Sequence, residues 1–238
     1  MKKDIRVLGI IPARGGSKRI PRKNIVRVAG KPLITYAIDA AKRSKKLDAF
    51  IVSTDDREIA VLAKTLGADV PFLRPKKYAK DKSRDIEYAQ HALEWLQKHR
   101  GWKPDIIVLL PPDAPLRTGK DIDRVVKFLE DENLDSVRTL TGPVRHPLLK
   151  SMWTIRDAKK NLITPLFPEF VGMPGQELPP YYLSVGLVYA TRARFIRNGT
   201  LWGPRIGGYL IEAKRCVEID EKEQLRQAET ALRKRKTL

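Results

Sequence analysis

Short apolar runs alternate, over the first 140 residues, with segments in which apolar residues recur every three to four positions. The runs predict buried strands, and the longer spacing predicts helices that pack one face against them. Strands are predicted at 7–11, 48–53, 68–73, 105–110 and 134–140, most of them followed by a helix. Strands and helices in this order are typical of a mostly parallel sheet covered on both faces. We therefore expect a three-layer α/β protein with its ligands at the carboxyl ends of the strands.

The alternation stops between residues 141 and 180, where proline and glycine are dense and helical spacing is lost. We interpret this segment as an excursion from a single domain that spans 1–238. Its apolar and aromatic side chains favour an arm that packs on a second copy of the chain, and a lid that folds back on the domain is the alternative. Strands are predicted again at 182–189, 207–211 and 215–219, and a closing helix at 221–233.

The loop after the first strand carries two glycines and five basic residues between Pro12 and Asn24. Glycines let backbone N–H groups come close to a ligand, and Lys and Arg add charge-assisted hydrogen bonds, so the loop suits a polyphosphate. Its spacing fits neither the Walker A pattern nor the Rossmann glycine pattern. A basic surface turn without a ligand is the alternative that the residues alone leave open.

Composition narrows the classes of function. The 238 residues are 42% hydrophobic, which is enough for a substantial core. The chain has no apolar run of about 18 residues that would predict a membrane span, and its single cysteine excludes an internal disulfide. These features favour a cytoplasmic protein. The net charge of +19 is spread along the chain without interleaved aromatics, so we expect anionic small molecules and no specific nucleic acid as partners.

The stretch from Ile11 to Asn24 resembles the opening motif of the acylneuraminate cytidylyltransferase (CMP-sialic acid synthetase) family, which is related to the KDO and pseudaminic acid cytidylyltransferases. Supporting segments follow in the family's order, so the resemblance covers nearly the whole chain. They lie at 52–56, 74–75, 109–118, 146–147, 186–189 and 218–220. The resemblance implies a Rossmann-like nucleotidyltransferase fold and a homodimer with no membrane association. It also implies the reaction of CTP with a sialic-acid-like or KDO-like sugar acid to give a CMP-sugar and pyrophosphate.

The resemblance implies roles for individual residues of the loops. Arg14 and Lys23 would hold the triphosphate and the departing pyrophosphate, and Asn24 and Arg74 would contact the nucleoside. A solvated loop cation is the alternative for Arg74. The other residues of the opening loop expected to line the nucleotide are Ala13, Gly15, Gly16 and Ser17.

The resemblance also implies a divalent metal, Mg²⁺ or alternatively Mn²⁺, held by carboxylates and phosphates. Glu218 and Asp220 match the family's acidic pair, in which Asp is usual at both positions, and in a strand they would share a face. Asp113 matches the metal-binding Asp of the related KDO enzymes. We hypothesise that Asp113 and Asp220 hold the metal with Glu218 nearby, and that these two Asp residues are catalytic together with Arg14 and Lys23. The alternative for Asp220 is the N-cap of the last helix.

The chain departs from the family near the base and the sugar. Asp85 stands where the family has a Ser near the base, and a carboxylate there suits the cytosine amino group. An ordinary Asp in the first turn of a helix is the alternative. Pro111 replaces a family Gln, and Val185 replaces a family Asn.

The arginines with which the family binds the sugar carboxylate have no clear match, which leaves Arg145, Lys150 and Arg138 as candidates. These departures leave two other functions open. One is a nucleotidyltransferase or glycosyltransferase-like enzyme that uses a different nucleotide or acceptor. The other is a non-catalytic relative that binds nucleic acid.

Overall fold

The computed structural model describes residues 5–144, 148–157 and 162–236, so the supporting segment at 146–147 lies outside the described residues. The strands in these ranges are β1 (Val7–Pro12), β2 (Arg27–Val28), β3 (Lys31–Pro32), β4 (Ala49–Ser53), β5 (Ile106–Leu109), β6 (Ser136–Val144), β7 (Trp153–Asp157), β8 (Leu162–Pro165), β9 (Tyr181–Arg192) and β10 (Ile206–Leu210). The helices are α1 (Leu33–Arg43), α2 (Arg57–Thr65), α3 (Asp85–Arg100), α4 (Gly119–Asp131), α5 (Leu148–Ser151), α6 (Ala193–Arg197) and α7 (Lys222–Lys236). None of these helices combines the length and the apolar character that a bilayer span requires.

The central sheet has six strands in the order β10, β6, β9, β5, β1, β4. Strand β1 pairs in parallel with both β4 and β5, and β10 pairs in parallel with β6. Strand β9 is antiparallel to β5. The prediction of a mostly parallel sheet is therefore confirmed, and the loops after β1 and β5 meet at one edge because parallel strands end on the same side.

Strand β5 shows why the sheet is covered on both faces. Ile106 and Val108 pack into the core on the side of α1, α2 and α4, whereas Ile107 and Leu109 pack into the core on the side of α3 and α6. All four side chains are buried, and each contributes about 1.5–3 kcal/mol of hydrophobic free energy. The two cores confirm the predicted three-layer, Rossmann-like α/β fold.

The chain divides into two compact units, one formed by Met1–Leu140 with Ser184–Leu238 and the other by Thr141–Leu183. The second unit contains α5 and the hairpin of β7 and β8. Trp153, Ile155 and Ile163 of this hairpin are exposed. This unit covers the segment 141–180 interpreted as an arm, and its packing on a second copy of the chain stays a prediction.

Two predicted strands are wrong. Residues 68–73 make only isolated bridges, from Asp69 to Ile51 of β4 and from Leu73 to Thr54 just after it. Gly67 adopts a positive φ, and Pro71 has no N–H to donate to a ladder. Residues 215–219 form no strand, and the N–H of Ile219 donates instead to the carbonyl of Asp113. The strand face that Glu218 and Asp220 were expected to share is therefore not present, and loop contacts position both carboxylates.

The sequence predicts two helix caps, Thr118 before one helix and Asp55 before another, where Glu58 follows three residues later as in a capping box. Thr118 caps α4 as expected, in a reciprocal capping box with Asp121. At α2 the expected cap was Asp55, but the side chain of Asp56 accepts the hydrogen bond from the N–H of Ile59. A shift of one residue releases the carboxylate of Asp55 for another contact.

The alternative for Asp220, an N-cap of the closing helix, is not what the structure shows. Helix α7 begins at Lys222, and Oε1 of Gln224 accepts hydrogen bonds from the N–H groups of Asp220 and Glu221. The carboxylate of Asp220 contacts Lys23 instead of the helix N–H groups.

Candidate active site

A cleft of about 390 Å³ lies at the carboxyl edge of β1 and β5, within the first unit. It is bordered by the loops that follow these two strands, by the segment before α3 and by the residues before α7. The residues predicted from the sequence that line it are Arg14, Ser17, Lys23, Asn24, Arg74, Asp85, Asp113, Glu218 and Asp220. Ala13, Gly15 and Gly16 belong to the same opening loop but are not among the described residues that line the cleft.

The opening loop is held in place by contacts with β4 and within itself. The buried Ala13 donates its N–H to the last carbonyl of β4 over 2.9 Å. The N–H of Gly15 donates to Oδ1 of Asp55 over 3.0 Å, and Nδ2 of Asn24 donates to the carbonyl of Arg14 over 2.8 Å. Asn24 therefore shapes the loop as well as lining the cleft, and Asp55 is a loop-positioning residue that sequence reasoning missed.

Two cations of the opening loop meet Asp81 at the mouth of the cleft. Nη1 of Arg14 lies 2.9 Å from one carboxylate oxygen of Asp81, and Nζ of Lys18 lies 2.5 Å from the other. The hydrogen bond from Lys18 holds the pKa of Asp81 below its usual value. This arrangement shows that Arg14 and Lys18 direct their charges to the same carboxylate.

Lys23 joins two of the predicted catalytic carboxylates. Its Nζ lies 3.2 Å from Oδ2 of Asp113 and 3.2 Å from Oδ1 of Asp220. It also donates to the carbonyl of Ile219 over 2.9 Å. The structure thus brings together three residues that are separated by up to 197 positions in the sequence.

Glu218 lies beside this group in a different environment. Its carboxylate accepts a hydrogen bond from the N–H of Gly186 on β9. Burial raises the pKa of Glu218, and the nearby charges of Asp113 and Asp220 raise it further. Glu218 is therefore tied to β9, whereas Asp113 and Asp220 face the cleft through Lys23.

The donor set of the cleft suits a hard divalent cation that is completed by a ligand. Mg²⁺ in nucleotide enzymes is usually held by one or two carboxylates together with phosphate oxygens and water. Asp113 and Asp220 supply two such carboxylates, and the ammonium of Lys23 already lies between them. Among the described residues, no group of three or more acidic, His or Cys side chains forms a metal site without other ligands.

Arg74 is buried, with 5% of its surface exposed, so the alternative of a solvated loop cation is wrong. Its Nε donates to Oγ of Ser53 over 3.0 Å, and its Nη2 donates to the carbonyl of the same residue. The guanidinium lies 4.7 Å from the ring centroid of Tyr88. Burial lowers the pKa of Arg74.

Asp85 is the first residue of α3, as its alternative interpretation proposed, and it also lines the cleft. Burial raises the pKa of its carboxyl group, and the charge of Asp113 adds to this effect. The position is thus compatible both with the helix dipole and with a contact to a bound ligand.

Arg117 is a site residue to which sequence reasoning gave no role. It is 3% exposed, and it donates to the carbonyls of Pro111 over 2.6 Å and Gly186 over 3.1 Å, and also to that of Leu187. Burial lowers its pKa to about 10. Arg117 therefore fixes the loop after β5 against β9. The signal for it was the Pro-Leu-Arg-Thr segment, in which an Arg follows two apolar residues.

Comparison with known proteins identifies the family of the chain. The family described as Cytidylyltransferase matches residues 8–164. The chain is 33% identical over 220 residues to CMP-N,N'-diacetyllegionaminic acid synthase of Legionella pneumophila, and the match covers 91% of each protein. It is 43% identical over 128 residues to pseudaminic acid cytidylyltransferase of Campylobacter jejuni, which covers 53% of this chain and 54% of that relative.

The fold is also similar to solved structures. CMP:2-keto-3-deoxy-manno-octonic acid synthetase, whose structure was solved in complex with CTP, has a TM-score of 0.71 at 17% identity. The match covers 97% of this chain and 99% of the other. This similarity bears on the fold, while the sequence matches over most of the chain bear on the family. The chain belongs to the cytidylyltransferase family, and it is a nucleotidyltransferase.

Proposed function

We propose that this protein transfers CMP from CTP to the anomeric hydroxyl of a nonulosonic or KDO-like sugar acid and releases pyrophosphate. The observation that carries the proposal is the convergence of Lys23, Asp113 and Asp220 in one cleft, where each carboxylate lies 3.2 Å from Nζ of Lys23. The names of the two sequence relatives, which act on legionaminic and pseudaminic acid, support this class of acceptor.

The triphosphate is expected to bind along the opening loop. Arg14 and Lys18 already hold a carboxylate at the mouth of the cleft, and phosphate oxygens are stronger partners for them because they carry more charge. Ser17 of the same loop lines the cleft and adds a hydroxyl donor. Arg74 and Asp85, at the other side of the cleft, are the groups assigned to the nucleoside.

Asp113 and Asp220 are the residues that would hold Mg²⁺ or Mn²⁺, with Glu218 beside them. When bound, the metal supplies neutralisation of the phosphate charge. Lys23 then has to exchange its carboxylate partners for a phosphate oxygen, and its four-carbon stem lets the ammonium move without the backbone.

The chemistry requires positioning more than covalent participation by the protein. The bond between the anomeric oxygen and the α-phosphorus forms while the bond from that phosphorus to the bridging oxygen of the β-phosphate breaks. The hydroxyl proton is released, and pyrophosphate leaves toward Arg14 and Lys23. Cations placed before the reaction stabilise the charge that develops on the leaving group.

The same proposal includes a homodimer and a cytoplasmic location. The exposed apolar hairpin of the second unit supports the first, since apolar surface of this kind is typical of an interface. The use of CTP as donor supports the second, because nucleoside triphosphates are cytoplasmic metabolites.

Pyrophosphate release tests the proposal. The full chain is incubated with each of the four nucleoside triphosphates against sialic, legionaminic, pseudaminic and KDO sugar acids, with Mg²⁺ present. We expect release with CTP and at least one of these acids. Release with another nucleotide only would favour the alternative enzyme, and no release with any pair, together with binding of single-stranded DNA, would favour the non-catalytic alternative.

The Asp113→Ala variant tests the role of the carboxylate. We expect turnover to fall by at least about 100-fold, because a charge-stabilising group in the site is lost. Asp39→Asn is the matched control, since Asp39 of α1 forms an exposed ion pair with Lys31 of β3 and does not line the cleft. Near-normal turnover of Asp113→Ala at saturating Mg²⁺ would refute the assignment.

A further inference from the structure

A small recess of about 60 Å³ adjoins the cleft and shares two residues, Asp85 and Tyr189, with it. Its remaining wall includes Arg138 of β6 and Trp202 from the loop after α6. The volume is about that of two water molecules in the liquid, so the recess admits a small polar group and not a whole sugar ring. A substrate in the cleft can therefore extend one substituent into it.

Arg138 is fixed in this recess by two aromatic rings. Its guanidinium carbon lies 4.3 Å from the ring centroid of Trp202 and 5.3 Å from that of Tyr189. The two rings are 6.2 Å apart and nearly perpendicular, at 80°. Attraction between a cation and aromatic faces limits the orientations of the guanidinium plane. The fork of donors is thus held in place before a ligand arrives.

The charge of Arg138 has no acidic partner in the part of the chain that the structure describes. Its Nε is buried without a hydrogen-bond partner among those residues. Nearby arginines differ, since Arg194 pairs with Asp135 at 2.6 Å and Arg192 donates to Asn133 over 3.0 Å. A planar donor that is half-buried beside a substrate cleft and has no counterion is suited to an incoming carboxylate.

Four other cations at or beside the cleft already have partners. Arg14 contacts Asp81, Lys23 contacts two carboxylates, Arg74 donates to Ser53, and Arg117 donates to backbone carbonyls. These groups lie along the nucleotide side or hold the loops. Lys80 also lines the cleft, but it is exposed and has no planar fork of donors, so Arg138 is better suited to an acceptor.

Of the three candidates from the sequence, the described structure favours one. Arg145 lies outside the described residues. Lys150 belongs to the second unit, where its Nζ donates to the carbonyl of Met173 over 2.9 Å. Arg138 lies in the first unit, beside the cleft.

We propose that Arg138, clamped between Tyr189 and Trp202, binds the carboxylate of the sugar acid in this recess and so selects an acidic acceptor. The proposal rests on the proposed function. It assigns Arg138 to specificity for the acceptor and leaves CTP to the opening loop.

Steady-state kinetics of the Arg138→Gln and Arg138→Lys variants, with the acid that the wild-type protein uses best, test this assignment. We expect Arg138→Gln to raise the KM for the sugar acid by about 10-fold to 100-fold, since a charged hydrogen bond is lost. We expect Arg138→Lys to raise it by about 3-fold to 10-fold, because the charge stays but the fork does not. The KM for CTP should stay within about twofold in both variants.

A second readout asks whether the contact is with the carboxylate. The carboxamide of the same sugar, used as a competitive inhibitor, should bind the wild-type protein at least about 10-fold more weakly than the acid. In the Arg138 variants this preference should shrink toward one. Arg100→Gln is the matched control. The guanidinium carbon of Arg100 also lies over an aromatic ring, 5.5 Å from the ring centroid of Trp95, but this pair is outside the cleft.

Different results would refute the role of Arg138 and the proposed transfer of CMP. An active wild-type protein whose Arg138→Lys variant keeps an unchanged KM for the sugar acid refutes the role of Arg138 alone. Equal rises in the KM for CTP and for the acid also refute it, since they indicate a general loss of structure. A wild-type protein that releases no pyrophosphate with any sugar acid overturns the proposed function and the role of Arg138 with it.

Discussion

Replacing Lys23 with Met removes the cation that separates two carboxylates. Nζ is 3.2 Å from an oxygen of Asp113 and 3.2 Å from an oxygen of Asp220, and the Lys23 side chain is only 17% exposed. Methionine keeps the length of the stem and its packing but supplies no charge and no donor. The substitution therefore leaves two negative charges facing each other across the cleft.

The size of the effect follows from the geometry. Two oxygens that are each 3.2 Å from Nζ are at most twice that distance apart, about 6.4 Å. At an effective dielectric constant of about 20, two unit charges at that separation repel by about 2.6 kcal/mol. Asp113 is 28% and Asp220 48% exposed, so solvent screening reduces this figure, and we expect a loss of about 1–2 kcal/mol of stability. That corresponds to a fall in Tm of about 2–8 °C.

Thermal unfolding with and without Mg²⁺, in the absence of nucleotide, measures both parts of the argument. Mg²⁺ should raise the Tm of Lys23→Met more than that of the wild-type protein, because the ammonium no longer competes for the two carboxylates. Lys31→Met is the control, since Lys31 forms an exposed pair with Asp39 at 3.5 Å, and its Tm should change by less than about 2 °C. A Lys23→Met variant with the Tm and the Mg²⁺ response of the wild-type protein would refute the reasoning.

Two further substitutions test how the fold supports the site. Gly15→Ala should cost about 1–3 kcal/mol in thermal unfolding, because its Cβ would lie 2.5 Å from Oδ2 of Asp56, whose carboxylate caps α2. Asp121→Asn should cost about 2–4 kcal/mol at pH 7, since it leaves the partly buried Arg215 unpaired. Burial alone raises the pKa of Asp121, but hydrogen bonds from Arg215 and from the capping box bring it below the usual value. Its contribution is therefore present at neutral pH and lost as the pH falls through that lowered pKa.

Each of these substitutions has a neighbour that should behave differently. A Cβ at Gly16 meets no atom within 4 Å, so Gly16→Ala should keep the wild-type Tm. Asp131→Asn on the same helix as Asp121 removes only an exposed pair with Lys127 and should cost less than about 1 kcal/mol. Equal Tm values for the two glycine variants, or a cost of Asp121→Asn that does not shrink toward pH 3, would contradict the structural reading.

The sequence predicted correctly those helices, strands and caps that depend on residues close together in the chain. The apolar run of β5 and the Thr118 cap of α4 were visible because each depends on residues close together in the chain. The strand predicted at 68–73 did not form, because the apolar pattern there contains Pro71, which cannot donate a hydrogen bond to a neighbouring strand. The cap at α2 moved by one residue because Asp55 and Asp56 are adjacent and carry the same side chain, so only the contact with Gly15 distinguishes them.

Residues of the candidate site could be named from the sequence where they belong to a recognisable motif. Their contacts with residues far away in the chain could not be predicted. Arg14 and Lys23 stand in a recognisable loop, but nothing in the sequence places Lys23 beside Asp220, 197 positions away. The role of Arg117 depends on carbonyls of β9 that it reaches only in the fold. Arg138 is set apart by the two rings that enclose it, and these come from separate segments.

Three arginines at or beside the cleft lack a nearby carboxylate in the described ranges, and this distinguishes them from the paired cations of the chain. In the described residues Arg74, Arg117 and Arg138 have no carboxylate within 4 Å, and the first two are buried deeply enough that their pKa values fall. A buried cation without a counterion is unfavourable in the free protein, because its lost hydration is only partly replaced by carbonyl groups. Arg74 and Arg117 meet this cost with hydroxyl and carbonyl acceptors of the fold, and they fix backbone segments that border the cleft. Under the proposal for Arg138, the carboxylate of the sugar acid would add the counterion that its guanidinium lacks. A cation kept without a counterion for the acceptor would in this way lower the stability of the empty protein and strengthen binding of the sugar acid.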